Sequence, residues 1–184
     1  MGGKVSIEYY WTEYLSGHKK AYGEIYLYYY PGLYTYGQSI TIHAELIDEA
    51  IQVVFLRLWE KPPHHVISKD QYIYVAFRNQ LIRQLKIKNG YPPHQSKKPL
   101  GDDPVQSSPE DLLIEQESVS IAHRKILDAL HSLPLRRREA IYLKFFQQKS
   151  TKDISAIMDI REEMVRNYIH KGIKALREYY DNCR

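Results

Sequence analysis

STKDISAIMDIREEMVRNYIHKGIKALR, residues 150–177, is the stretch that decides how this chain folds. Ser150 stands three residues before Asp153, the spacing of a capping box, and Ile154, Ile157 and Met158 then fall on one face of a short helix. Asp159 and Ile160 break that period. A second register follows, in which Val165, Ile169, Gly172 and Leu176 recur every three to four residues as a stripe that packs inward. The opposite face carries Arg161, Glu162, Glu163, Arg166, Asn167, His170, Lys171 and Lys174, long donors and acceptors at the spacing that reads base edges and clamps phosphates. The pattern predicts a helix-turn-helix with a recognition helix. An amphipathic hairpin with a solvated charged face fits the same residues, and the rest of the chain has to separate the two.

With 184 residues the chain is long enough for one large domain or two small ones, each with its own core, and two are expected. A net charge of +4 is mild for a protein that holds DNA alone by counterion release, which points to a larger partner sharing the load. The single cysteine, Cys183, excludes an internal disulfide. The opening MGGKVSIEYYW lacks the basic segment, apolar core and cleavage site of a secretory signal, and no apolar run approaches the roughly 20 residues that cross a bilayer. A cytoplasmic protein without membrane insertion is expected. Enzyme chemistry finds no footing either: His64 and His65 are adjacent rather than at metal-ligand spacing, and no glycine-rich phosphate loop occurs, so no catalytic residue, metal or cofactor is expected.

Residues 7–15 carry an aromatic-rich helical pattern that stops at Ser16 and Gly17, and a longer one runs over 21–36. Tyrosine dominates it, with Tyr26, Tyr28, Tyr29, Tyr30, Tyr34 and Tyr36 close together, and amphipathic packing with hydroxyls reaching solvent is the expectation. Pro31 is expected to bend or restart this helix without ending it. In IDEAIQVVFLRLWE, residues 47–60, Ile51, Val54, Phe55, Leu58 and Trp59 form a wide apolar face, the strongest core helix of the chain. Glu49, Gln52, Leu56 and Glu60 lie off that face, either wet or docked against a partner.

KPPHHVISK, residues 61–69, is a loop, and a helical period resumes over 70–86. There Tyr72, Val75 and Phe77 sit beside Arg78, Arg83, Lys86 and Lys88, a mixture that suits single-stranded nucleic acid, where bases stack on rings and the backbone follows cations. The same aromatics also suit a core. NGYPPHQSKKPLGDDPVQSSP, residues 89–109, has no hydrophobic period and reads as a linker. Helices return over 112–131, with Val119, Ala122, Ile126 and Leu130 on one face, and Pro134 suits the first turn of a helix reaching about Gln148. Arg136, Arg137 and Arg138 crowd that first turn against the helix dipole, an arrangement that favours a bound anion such as a DNA phosphate over a merely solvated basic patch.

Both halves together resemble an extracytoplasmic-function (ECF) RNA polymerase sigma factor of the sigma-70 family. YYYPGLYTYG from Tyr28, the register Glu49, Gln52, Phe55, Leu56 and Trp59, and the pair Arg78 and Asn79 are similar to region 2 of that family. Leu133 and Pro134 with Arg136, Arg138 and Glu139, then Asp153, Ile154 and Val165, resemble region 4. The resemblance implies an all-α chain of two small helical domains joined by a flexible linker: a region 2 bundle over 1–90, the linker over 91–111 and a region 4 helix-turn-helix over 112–184. It implies a transcription initiation factor that binds core RNA polymerase, directs it to promoters and opens the minus-ten region.

Glu49, Gln52, Leu56 and Glu60 would then dock on the polymerase. His64, His65, Tyr72, Tyr74, Arg78 and Asn79 would handle the melted minus-ten strand. Arg161, Glu163, Arg166, Asn167, His170, Lys171 and Lys174 would read the minus-thirty-five duplex, with Arg136 and Arg138 on phosphates. The implied partners are core RNA polymerase, promoter DNA in double- and single-stranded form, and an anti-sigma factor. A stand-alone helix-turn-helix regulator, with 1–90 as a ligand or dimerisation domain, is the rival, and it leaves the Gln52, Arg78 and Asn79 matches unexplained. Departures from the family fall at the turn, where Asp159, Arg161 and Met164 replace the common glycine, serine and small hydroxyl residue. Aspartate tolerates the left-handed conformation, so the turn is expected to survive.

Overall fold

The computed structural model describes residues 6–182, apart from 65, 67 and 91–128, and the expected linker therefore lies outside the described residues. Seven helices are defined among them: α1 Ile7–Leu15, α2 Lys19–Gln38, α3 Ala44–Glu60, α4 Lys69–Lys88, α5 Leu135–Phe145, α6 Thr151–Met158 and α7 Glu162–Asn182. No strand occurs among the described residues, and the fold is all-α. Of the helix expected over 112–131, only the turn at 129–131 is described.

The first four helices form a bundle whose boundaries follow their caps. Ser6 and Ser68 each accept a hydrogen bond from a backbone N–H three residues on, Tyr9 at 3.3 Å and Gln71 at 3.2 Å, which opens α1 and α4. Helix α2 continues unbroken through Pro31. Pro31 and Leu27, whose carbonyl loses its donor there, are both exposed, so the missing bond falls on the wet side of the helix. At Gly37, α2 passes so close to α3 that an added Cβ would lie 2.7 Å from Ile47 Cγ2.

Helix α3 buries Ile47, Ala50, Ile51, Val54, Phe55 and Leu58, each large side chain contributing about 1.5–3 kcal/mol on burial. Trp59, expected on that face, is instead 41% exposed, its ring edge-on to Tyr22 and beneath the Lys19 ammonium at 5.2 Å. It closes the rim of the core rather than filling it. Tyrosine hydroxyls were expected in solvent, yet several turn inward. Tyr14 donates to the Leu58 carbonyl at 2.5 Å and Tyr22 to the Phe55 carbonyl at 2.8 Å, while Tyr30 donates to Asp48 at 2.8 Å. Leu58 is in the last turn of α3, where carbonyls lack helical partners, so Tyr14 acts as a side-chain cap.

In the second half the capping box is formed: Asp153 N–H donates to Ser150 Oγ at 3.1 Å, and Ser150 N–H to the Asp153 carboxylate at 3.3 Å. Asp159 ends α6 in the left-handed conformation, φ 53° and ψ 53°, doing the work of a glycine. Helix α7 lies against α5 at Gly172, where a Cβ would meet Ile141 Cγ1 at 2.9 Å. Two boundaries differ from expectation. Pro134 caps α5 from one position outside it, and α5 stops at Phe145 because Gln148 takes a left-handed φ of 51°.

The halves touch. Helix α4 packs along α6 and α2 reaches α5, so that Leu135, Ala140, Leu143, Ile154, Ile157, Met158 and Val165 join one continuous cluster with the core of the first bundle.

Candidate nucleic-acid interface

Helix α7 presents the expected face. Arg161, Glu163, Arg166, His170, Lys171 and Lys174 are exposed and Asn167 is half-buried, while Val165 and Gly172 are buried behind them. Glu162 and Glu163 in the first turn complement the positive end of the helix. The charged heads are tethered only by i,i+4 contacts, Arg166 to Glu162 at 3.5 Å and Lys174 to Glu178 at 3.8 Å, which are worth a few tenths of a kcal/mol and yield readily to a phosphate or base. On α3, Glu49, Gln52, Leu56 and Glu60 form an exposed row down the side opposite the core, with Leu56 58% exposed. An isolated exposed leucine is ordinary; this one stands in line with two acids and an amide on one helix.

The residues expected on the melted strand divide. His64 and Asn79 are exposed and Tyr72 is half-buried; His65 lies outside the described residues. Tyr74 and Arg78 are not on the surface. Arg78 makes a bidentate pair with Glu139 of α5, Nε to Oε1 at 2.5 Å and an Nη to Oε2 at 3.1 Å, and Tyr36 of α2 donates to the same Oε1 at 2.6 Å. Glu139 is 1% exposed. Burial disfavours the Arg78 charge, but the Glu139 carboxylate more than offsets this, so the guanidinium is held even more firmly protonated than usual. Burial, and then the negative charge of Glu139, push the Tyr36 hydroxyl well up, so it remains a donor. Around this group Tyr74 donates to Gln147 at 2.6 Å, and Lys149 pairs with Asp70 at 2.6 Å with its ammonium 4.2 Å from the Tyr74 ring.

Arg136 and Arg138 are also enclosed, contrary to the expectation of phosphate contacts in a basic first turn. Arg138 donates to His131 Nδ1 at 2.8 Å, and burial draws its pKa down against the opposing effect of Glu139. In this arrangement Arg138 ties α5 to the preceding turn. Arg137, between them, is the more exposed. Tyr36, Glu139, Gln147 and Lys149 were missed from sequence. Among the described residues no group of three or more His, Cys, Asp or Glu is placed to hold a metal ion, and no helix is long and apolar enough to cross a membrane.

The family model "Sigma-70, region 4" matches residues 123–176, the span that ends in the helix-turn-helix. The ECF RNA polymerase sigma factor SigL of Mycobacterium tuberculosis is 24% identical over 153 residues, covering 79% of this chain and 80% of that protein, so the similarity runs through both halves. The chain is thus similar to an ECF sigma factor of the sigma-70 family. That similarity favours a transcription initiation factor over a stand-alone regulator, which shares only the helix-turn-helix and does not account for the similarity of the first half. The fold of this chain is similar to that of a Bartonella quintana sigma factor, RpoE, solved in complex with the anti-sigma factor NepR. The TM-score is 0.67 at 17% identity, over 90% of this chain and 99% of that one.

Proposed function

We propose that this chain is a sigma factor that binds core RNA polymerase through the exposed α3 row of Glu49, Gln52, Leu56 and Glu60, and places α7 in the major groove of an upstream promoter element. Residues 1–90 and 112–184 act as the two working units, joined by 91–111. The observation that carries the reading is the pairing of a buried stripe with a fully presented cationic face on α7, held by a formed capping box and a left-handed turn at Asp159. Glu163, Arg166 and Asn167 lie near its N-terminal end, where side chains reach base edges, and Lys171 and Lys174 lie further along, where they meet phosphates.

The loop from Lys61 and the start of α4 handle the opened strand. Asn79 and His64 supply hydrogen bonds and Tyr72 a stacking ring; a base leaving the duplex costs a few kcal/mol, and stacking on one aromatic returns about 1–3. Tyr74 and Arg78 belong to the same helix and join this surface only when the two halves separate. The protein works in the cytoplasm, without catalytic chemistry of its own. An anti-sigma factor is its expected regulator, since the Bartonella protein of the same fold is bound by one.

Tyr72→Ala and Asn79→Ala are expected to reduce promoter opening while leaving recruitment of polymerase intact, because single-strand contacts form only once bases are out of the duplex. Permanganate reactivity of promoter thymines reports opening, and a pull-down with core polymerase reports recruitment. Normal melting in both variants would remove these residues from the site.

A further inference from the structure

We propose that Arg78, Glu139 and Tyr36 form an intramolecular latch that holds the two halves closed and withholds the strand-binding face of α4. The proposal rests on the reading of α4 given above. Arg78 and Tyr74 sit on the helix that carries half-buried Tyr72 and exposed Asn79, the residues assigned above to the opened strand, yet both are covered by α5 and the turn that follows it. A promoter strand and Glu139 therefore compete for one guanidinium.

The chemistry of the joint suits reversible closure. A buried ion pair is seldom the most stabilising way to fill a joint, because taking both charges from water costs nearly what their attraction returns. Here the groups that meet across the joint are paired when closed: Arg78 and Tyr36 on Glu139, Tyr74 on Gln147, and Lys149 on Asp70. Each can be hydrated when open. The apolar contact of α6 with α4 favours closure, and the ionic group makes that closure conditional on the pair. A lone charge left in the closed joint is relieved by separating the halves, without unfolding either. Whatever binds the open form, polymerase or promoter strand, then shifts the population in proportion to its preference for that form.

The test is Glu139→Gln in the full-length chain. The side chain keeps its size but leaves Arg78 buried without a counter-charge. Spin labels at Lys20→Cys on α2 and Glu178→Cys on α7, in a Cys183→Ser background, report the separation of the halves by pulsed electron resonance. The wild type is expected to give a narrow distance distribution. The variant is expected to raise the ratio of open to closed molecules roughly tenfold to hundredfold, the usual worth of a hydrogen bond to a charged group. With core polymerase and a promoter mapped from transcript starts, it should also form open complexes at lower concentration than the wild type.

An unchanged distance distribution in a variant with native helix content would overturn the latch. So would a wider separation with no gain in open-complex formation by an active wild type. If Glu139→Gln loses helix content, the pair Gln147→Ala and Lys149→Ala removes only the rim contacts, and is expected to move the distance in the same direction by a smaller amount; no movement overturns the latch. The distances are measured without polymerase or DNA. A shifted distance together with no promoter activity from any version, wild type included, therefore sinks the sigma reading of α4 and leaves the conformational switch standing.

Discussion

Phe55→Ala is expected to destabilise the protein by roughly 3–5 kcal/mol, the cost of deleting a large buried ring and leaving a cavity in a core that cannot fully collapse. Phe55 is 2% exposed and is met edge-on by Tyr22 and Tyr26 at 6.1 and 4.9 Å. In thermal unfolding this corresponds to a fall of about 6–20 °C for a chain of this size. The neighbouring substitution Leu56→Lys should leave the melting temperature near the wild-type value and weaken binding to core polymerase, as should Gln52→Lys. Adjacent positions on one helix thus separate stability from docking, because successive side chains point about 100° apart. If Leu56→Lys melts as early as Phe55→Ala, the α3 row is core and the docking surface lies elsewhere.

Arg166→Ala is expected to change which base is preferred upstream, by about 1–3 kcal/mol if its contact is bidentate. Lys174→Ala should weaken all promoters alike and lower the salt dependence of binding by about one charge. Both residues are exposed on α7, roughly two turns apart. Binding to a panel of single-base promoter variants distinguishes the two behaviours. Equal losses on every sequence for Arg166 would make it a phosphate contact as well.

Periodicity revealed the helices, the helix-turn-helix and the exposed row of α3, because each is a repeated pattern that averages over many residues. Ser150, Asp153 and Asp159 could be read individually, since capping and left-handed turns are local events decided by adjacent backbone. What escaped was the joint. Its residues meet across wide separations in sequence, and nothing local says that Arg78 will find Glu139. A signal was present nonetheless. Glu139 falls on the stripe of Leu135 and Leu143, and Arg78 falls beside Phe77 on the stripe of Tyr74, Leu81 and Leu85. A charge at a core position needs a partner of opposite sign, and two such positions of opposite sign in one chain point to each other. Arg136 and Arg138 were read as phosphate contacts from their crowding in a helix's first turn, whereas the same logic of position shows them enclosed. Trp59 was placed by period alone, which does not register that a helix end leaves the core.

Two promoter elements about two dozen base pairs apart are separated by roughly 85 Å at about 3.4 Å per pair, whereas each half has a radius of only about 10 Å. Halves in contact cannot reach both elements, so the proposed reading requires polymerase to hold them apart. A gel-shift series on one promoter duplex, with and without core polymerase, tests this most directly. The account predicts weak binding without two-element selectivity by the protein alone, and both selectivity and strand opening once core polymerase is added. Tight, sequence-specific binding by the isolated protein would contradict it.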